Sequence, residues 1–263
     1  MGIPLYQVDA FTNRPFSGNP AAVCLLSEPL SDAFQQDLAM ENNLAETAYL
    51  LKEGDAYRLR WFTPLTEVDL CGHATLASAH ILWEMGELKP TEQARFQTRS
   101  GLLTADRYGD WITLNFPALL SEPVEAPQGL AEALGAEPVA VYKSRFDLLI
   151  LFESEQAVRE LSPNFQALGQ IPARGFIVTA KAEAGEFDFV SRFFAPAVGI
   201  DEDPATGSAH CALTPFWAQK LGKSDFIAYQ ASKRGGVLRL RLEGERVLLM
   251  GQAVTVLKGE VCL

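Results

Sequence analysis

The sequence has few of the residues and motifs that identify several common classes of protein. Its four cysteines (Cys24, Cys71, Cys211 and Cys262) lie far apart and form no CxxC pair, so they predict neither a zinc site nor a disulfide framework. No apolar run reaches the ~18–20 residues that a membrane-spanning helix needs. The first residues also lack the basic and apolar segments of a secretory signal. We therefore expect a cytoplasmic protein with reduced thiols.

Positive charge is also scarce. The chain of 263 residues carries 22 Lys and Arg against 33 Asp and Glu, which gives a formal net charge of −11. Such a surface repels phosphate backbones and anionic lipids, so we expect neither nucleic acid nor membrane as a partner. The motifs GxGxxG, GxxxxGK[ST] and GxSxG are absent as well, so dinucleotide binding, P-loop binding and a serine-hydrolase elbow are not predicted.

Two similar helix starts are the most informative feature that the sequence does contain. Asp69-Leu70-Cys71-Gly72-His73-Ala74-Thr75 leads into an apolar run at 76–86, and DPATGSAHC at 203–211 leads into ALTPFW. The first turn of a helix presents unpaired N–H groups and the positive end of the helix dipole, so it binds anions readily. The pairs Gly72-His73 and Gly207-Ser208 are therefore predicted anion-binding positions.

These helix starts belong to a repeat that covers most of the chain. The following segments recur in the same order at offsets between 131 (165−34) and 135 (207−72): Leu30-Ser31 as Leu161-Ser162, Arg60–Pro64 as Arg192–Pro196, Gly72 as Gly207, and Phe96-Gln97 as Tyr229-Gln230. Because 48% of the residues are hydrophobic, each half can bury its own core. We predict an α+β fold of two like-folded domains, 1–120 and 121–263, related by a pseudo-twofold. The last residues could pack back on the first domain, and the two helix starts would face one cleft.

Local patterns predict the elements of the first half. Short apolar segments and turn formers predict the strands 5–11, 21–26, 46–51, 57–62, 96–105 and 111–116, and in 57–62 the residues Tyr57, Leu59 and Trp61 share one face. Ser31 is a predicted cap for a helix over 31–43, and Gly86 is a predicted end of the helix at 74–86. Each predicted domain is thus mostly strands wrapped on an apolar helix.

Residues that differ between the two copies are candidates for function. Glu46 begins a strand, whereas the second copy has Arg174-Gly175 there and no acid. A leading carboxylate can be a solvated edge residue or a cap, but one that is shielded from water can move a carbon-bound proton. His73 can cap or pack, or it can donate a proton, whereas its counterpart Ser208 can only hydrogen-bond to an anion.

Three further candidates have both a structural and a functional interpretation. Asp203 can compensate the helix dipole, or it can orient a histidine or a substrate amine. Cys71 lies beside a helix start, which can lower the pKa of a thiol and make it a nucleophile or a base. His80 and His210 lie inside apolar helices and are predicted core residues. With no further ligands expected near His73 and His80, a metal site is not predicted.

Four segments carry a specific resemblance: GNPAAV at 18–23, LAETAYL at 44–50, RWFTPLTEVDLCGHAT at 60–75 and DEDPATGSAH at 201–210. They resemble the PhzF-like (phenazine-biosynthesis) family over essentially the whole chain. That family is similar in fold to diaminopimelate epimerase, with two like-folded domains that are each a β-barrel around a central helix. The resemblance implies cofactor-free proton transfer, a homodimer and no metal.

The resemblance also implies roles for individual residues. In the family's characterised isomerase, the acid of the ETA motif moves a proton between carbons of a dihydro-hydroxyanthranilate ring, which makes Glu46, His73 and Asp203 the catalytic candidates. Asn19, Gly72, Gly207 and Ser208 are the implied substrate-binding residues.

Three hypotheses remain open at this point. The first is an isomerase that shifts a proton on a small carboxylate-bearing substrate. The second is a family member that only binds a metabolite or acts as a scaffold. The third is an epimerase that uses Cys71, although the epimerase branch uses a cysteine from each half and this chain has Cys71 alone.

Overall fold

The computed structural model describes residues 2–183 and 185–262. The strands are β1 (Ile3–Ala10), β2 (Asn19–Leu26), β3 (Glu46–Glu53), β4 (Ala56–Phe62), β5 (Glu67–Val68), β6 (Ala94–Thr98), β7 (Gly101–Tyr108), β8 (Trp111–Pro117), β9 (Ser121–Val124), β10 (Ala140–Ser144), β11 (Leu148–Leu151), β12 (Phe176–Lys181), β13 (Phe189–Phe194), β14 (Asp225–Gln230), β15 (Gly236–Glu243), β16 (Arg246–Gly251) and β17 (Ala253–Val261). The α-helices are α1 (Asp32–Asn42), α2 (Gly72–Glu84), α3 (Leu130–Leu134), α4 (Glu155–Glu160), α5 (Phe165–Leu168) and α6 (Gly207–Leu221), and a 3-10 turn covers Pro196–Val198. The predicted mixed fold of many strands and few helices is confirmed.

The chain forms two compact units. The first unit consists of residues 2–115 and 250–262, and the second unit of residues 116–249. The predicted domains differ from these units in where 116–120 belong, whereas the prediction left open that the last residues pack on the first domain. Residues 250–262 belong to the first unit because β17 pairs antiparallel with the whole of β1, from Ile3 opposite Val261 to Ala10 opposite Ala253.

In the first unit, antiparallel and parallel pairs alternate. The pairs β1–β2, β3–β4 and β6–β7 are antiparallel, whereas β2–β3 and β4–β6 are parallel. Parallel neighbours need a long connection, and here α1 connects β2 to β3 and α2 lies between β4 and β6 in the chain.

The second unit has its own series of pairs. The pairs β10–β11, β12–β13 and β14–β15 are antiparallel, whereas β11–β12 and β13–β14 are parallel. The connection from β13 to β14 contains α6, and the connection from β11 to β12 contains α4 and α5. The order of pair types is thus the same as in the first unit.

One long helix is buried within each unit. In α2 the buried side chains include Ala74, Leu76 and Ala77, and in α6 they include Ala212 and Leu213, all without measurable exposure. A helix that is apolar on all sides is stable only where other elements surround it. The helix that each domain was predicted to wrap is therefore buried in its unit.

Local chemistry explains several element ends. The Oγ of Ser31 accepts a bond from the backbone N–H of Phe34, as a cap of α1 should. The predicted single strand 96–105 is wrong, because β6 and β7 form a hairpin that turns at 98–101. Gly101 has a φ of +94°, a conformation that favours glycine, and the hydroxyl of Thr98 donates to its carbonyl.

Helix α6 contains a proline, Pro215, but the carbonyl that this proline cannot bond to has another hydrogen-bond donor. Pro215 has no N–H to donate to the carbonyl of Cys211 four residues earlier. The backbone N–H of Leu119 donates to that carbonyl instead, at 3.0 Å. The helix therefore tolerates the proline because another segment of the same unit replaces the lost bond.

His80 and His210, which were both predicted to be core residues of helices, differ in burial. His210 is fully buried, as predicted, and its Nδ1 lies 2.8 Å from the carbonyl oxygen of Thr206. Burial lowers the pKa of His210 to about 4, although the bond to Thr206 opposes this shift. His80 was also predicted to be core, but its side chain is 22% exposed and its Nε2 lies 3.1 Å from Thr255 Oγ1. It therefore links α2 to β17 at the surface of the first unit.

We expect His210 to make the protein sensitive to acid. Its folded pKa of about 4 lies below the ordinary value of 6.5, so the unfolded chain takes up the proton first. The stability contribution is present above pH 6.5 and is lost as the pH falls towards 4, by about 3 kcal/mol in total. Urea unfolding at several pH values should show this loss in the wild type and a smaller loss in His210→Asn, which keeps an N–H but cannot be protonated. Equal acid sensitivity of the two proteins would contradict the prediction.

Candidate active site

Glu46 and His73 form a buried pair in the first unit. Glu46 is the first residue of β3, where it lies opposite Ala21 of the parallel strand β2. His73 is the second residue of α2. The Oε2 atom of Glu46 lies 3.0 Å from Nε2 of His73 as an ion-pair contact, and the side chains are only 12% and 6% exposed. The solvated interpretation of Glu46 is therefore wrong.

The other ring nitrogen of His73 has two neighbours. The side-chain nitrogen of Asn19 lies 3.1 Å from Nδ1, and Sγ of Cys71 lies 3.5 Å from the same atom. An amide nitrogen donates a hydrogen bond, which suits a neutral ring with a free lone pair at Nδ1. A sulfur atom can accept one, which suits the protonated ring. The surroundings of His73 thus provide a partner for each protonation state.

The pKa of His73 lies well above its ordinary value of 6.5. Burial lowers this pKa, but contact with the side chains of Cys71 and Glu46 acts in the opposite direction and outweighs it. With Cys71 a neutral thiol, the close carboxylate of Glu46 is the group that favours the positive ring. A histidine in that state can donate a proton or stabilise negative charge beside it.

Cys71 does not have the lowered pKa that its place beside a helix start suggested. Burial raises the pKa of the Cys71 thiol, and the charge of Glu46 raises it further, although His73 opposes both. The helix start is therefore outweighed, because no water reaches the sulfur to stabilise a thiolate. Cys71 is a neutral thiol at neutral pH.

The sequence did not indicate that other possible metal ligands surround His73. One ligand atom from each of Glu46, Cys71 and His73 lies within 4.8 Å of the others. These three residue types include the ligands that zinc prefers. The two ring nitrogens, however, have different neighbours: Oε2 of Glu46 lies 3.0 Å from Nε2, and Sγ of Cys71 lies 3.5 Å from Nδ1. That arrangement suits proton transfer through the ring.

In the second unit, Asp203 helps to fix the segment that leads into α6. Its Oδ2 accepts a bond of 2.5 Å from the hydroxyl of Thr206, the residue that precedes the helix. Gln230 holds the same segment from β14, because its Nε2 donates to the carbonyl of Asp203 at 2.7 Å and its Oε1 accepts from the N–H of Thr206 at 2.8 Å. Gln230 is fully buried. The start of α6 is therefore held rigidly.

Gly207 and Ser208 are the first two residues of α6, as Gly72 and His73 are of α2. The residues before the helices, Cys71 and Thr206, make no side-chain cap bond to their helix within the part of the chain that is described. First-turn N–H groups that side chains do not cap can bind an anion. The Oγ of Ser208 also accepts a long bond of 3.4 Å from Nη2 of Arg174.

The predicted site residues thus fall into two groups. Asn19, Glu46, Gly72 and His73 lie together in the first unit, and Asp203, Gly207 and Ser208 lie together in the second.

Sequence reasoning missed Gln230, because its burial became visible only in the structure. The repeat aligns Gln230 with Gln97, yet Gln230 is buried and Gln97 is exposed. A polar residue that is buried in only one copy has a role that the fold alone does not require.

Comparisons with known proteins identify the family of the chain. The chain matches the family described as phenazine biosynthesis-like protein (PhzC-PhzF) over residues 8–259. It is 55% identical to an uncharacterized isomerase of Halalkalibacterium halodurans and 52% identical to one of Pseudomonas aeruginosa, in each case over 100% of both chains. The crystal structure of a PhzF-family phenazine biosynthesis protein from Enterococcus faecalis superposes with a TM-score of 0.96 at 42% identity, again over 100% of both chains.

The fold and the named relatives support an isomerase-type function at a general level. The chain belongs to the PhzC-PhzF family of phenazine biosynthesis-like proteins. The resemblance found in the four sequence segments is therefore confirmed. Among the described residues, no helix is long and apolar enough to cross a membrane.

Proposed function

We propose that the protein is a cofactor-independent isomerase that moves a proton on a small carboxylate-bearing metabolite. The observation that carries this proposal is the buried contact of 3.0 Å between Glu46 and His73 at the start of α2. A carboxylate and a protonated imidazole that are shielded from water can act as a base and an acid on one substrate. The isomerase names of the relatives agree with this reaction type.

In the proposed reaction, Glu46 takes a proton from a carbon atom of the substrate. The electrons of the broken C–H bond form a new double bond to the adjacent carbon, and the electrons of the existing double bond move to its far carbon. Glu46, whose carboxyl proton exchanges with solvent, returns a proton to that far carbon. His73 stabilises the negative charge that develops and can exchange a proton with Glu46. Asn19 and Cys71 support the neutral and the protonated ring, respectively, so that His73 can change state without losing a partner at Nδ1. No redox step or external reactant is needed.

The remaining predicted residues receive binding and supporting roles. We propose that Gly72 in the first unit, and Gly207 and Ser208 in the second, are substrate-binding residues that offer backbone N–H groups and a hydroxyl to a carboxylate. Asp203, which the bonds of Thr206 and Gln230 hold in place, is the third catalytic candidate. We also infer that the two units are copies of one ancestral unit. The same order of parallel and antiparallel pairs in each unit supports this inference.

Proton exchange with solvent tests the proposal without knowledge of the substrate. The full chain is incubated in deuterated buffer with a panel of small unsaturated and cyclic carboxylates, and deuterium at carbon is followed by NMR. We expect enzyme-dependent incorporation into at least one compound. Tight binding of a carboxylate with no exchange at any carbon would contradict an isomerase and favour a protein that only binds a metabolite.

A further inference from the structure

Arg174 is fixed in one orientation by a buried carboxylate. Its Nε donates to Oδ1 of Asp147 at 2.8 Å, and its Nη2 donates to Oδ2 at 2.6 Å. The Asp147 side chain is 1% exposed, whereas that of Arg174 is 41% exposed. The guanidinium also lies 5.0 Å from the ring centroid of Phe146. Two parallel bonds and a ring contact hold the planar group far more firmly than one contact would.

Gly175 makes this arrangement possible. A Cβ atom at Gly175 would lie 2.4 Å from the ring of Phe193 and 3.0 Å from Oδ1 of Asp147. Any larger residue would therefore push away the carboxylate that orients Arg174. The sequence Arg174-Gly175 combines the charged group with the space that its partner needs.

Arg174 immediately precedes Gly175, the residue of the second unit that corresponds to Glu46 in the first. Arg174 lies two residues before β12, which pairs with β11 and β13 as β3 pairs with β2 and β4. Glu46 contacts the second residue of α2, and Arg174 donates to Ser208, the second residue of α6. Each unit thus places a charged side chain in contact with the second residue of its long helix.

The surroundings of Arg174 favour an anionic ligand. Arg174 uses Nε and Nη2 for its bonds to Asp147 and Ser208. The two N–H groups of Nη1 take part in none of these bonds. Arg145 places a second guanidinium 5.0 Å from the ring of Phe146. This local positive charge occurs in a chain with a net charge of −11. A planar guanidinium matches the geometry of a carboxylate better than any other side chain does.

We propose that Arg174 binds a carboxylate ligand and selects acids over their uncharged analogues, with Asp147 as its positioning residue. All the groups that carry this inference lie in the second unit, so it goes beyond the proposed function and does not depend on it. A purely structural Arg174, which only neutralises Asp147, would leave ligand selection unchanged.

Two probes that differ only in charge test the inference. The full chain is titrated with 2-aminobenzoate and with its amide, 2-aminobenzamide, by calorimetry. We expect the wild type to bind the acid about 10- to 100-fold more tightly than the amide, as a hydrogen-bonded charge pair predicts. Because Arg174→Met alone would leave Asp147 buried and unpaired, the main variant is Arg174→Met with Asp147→Asn. It should lose the preference for the acid but keep its affinity for the amide.

Two further variants complete the experiment. Arg174→Lys retains the positive charge but lacks the paired N–H groups of a guanidinium, so part of the preference for the acid should remain. Thermal unfolding of each variant verifies that it folds. A wild type without preference, or a double variant that keeps it, would overturn the inference. Glu46→Gln should bind the acid normally. The two proposals can therefore fail separately. If the preference for the acid depends on Arg174 but no carboxylate of the NMR panel exchanges deuterium, the proposed isomerase is refuted and the binding role of Arg174 is kept.

Discussion

Glu46→Gln is expected to lower the rate of deuterium exchange into the substrate by about 10²- to 10⁴-fold, the usual contribution of a general acid or base. The amide has nearly the same shape as the carboxylate but cannot accept a proton from carbon. Because substrate binding is assigned to other residues, the binding constant should change little. The measurement is the initial exchange rate by NMR at saturating substrate, together with the KM.

Glu53→Gln is the matched control for this experiment. Glu53 is the last residue of the same strand, β3, and its side chain is 46% exposed beside Arg58. The same chemical change at that end of the strand should leave exchange unaffected. Full activity of Glu46→Gln, or an equal loss in both variants, would exclude Glu46 as the base.

Phe189→Ala is expected to cause the largest loss of stability, about 3–5 kcal/mol in the free energy of unfolding. Phe189 is fully buried on β13, and its ring is stacked at 5.6 Å on Trp217 and lies 6.0 Å from Phe226. Truncation would leave a cavity between β13 and α6 that the surrounding rings cannot fill. Urea unfolding at pH 7 measures the effect.

Leu120→Ala provides the comparison for Phe189→Ala. The Leu120 side chain is 75% exposed in the same unit, so its truncation should change the free energy of unfolding by less than about 0.5 kcal/mol. If Phe189→Ala were as mild as this surface change, the ring cluster would not be the centre of the second unit's core.

Features that depend on neighbouring residues could be predicted from the sequence. The cap at Ser31 and the left-handed Gly86, with a φ of +77°, follow from residue types within one or two turns of their helices. The hairpin at 98–101 was missed although its turn contains Ser100 and Gly101, which are common turn formers. The polar segment between Phe96 and Leu102 is so short that the sequence predicts one continuous strand.

The candidate site was predictable as a set of residues but not as a geometry. Glu46 and His73 were selected because the second half of the chain has no equivalent acid or histidine. Their contact depends on how β3 and α2 pack in the first unit, which no local pattern specifies. The raised pKa of Cys71 is a consequence of burial, and burial became visible only in the structure. The bond between Arg174 and Asp147 likewise joins residues 27 positions apart.

The pairing of β1 with β17 has a consequence for synthesis of the chain. Residues of the second unit are continuous in sequence, so all its strands can leave the ribosome before β17 does. The first unit contains the earliest strand and the latest one, and its sheet is incomplete until β17 has emerged. Domains fold as their segments become available during translation. The second unit can therefore fold first, while Glu46 and His73 are held in a unit that closes only when its last strand is added.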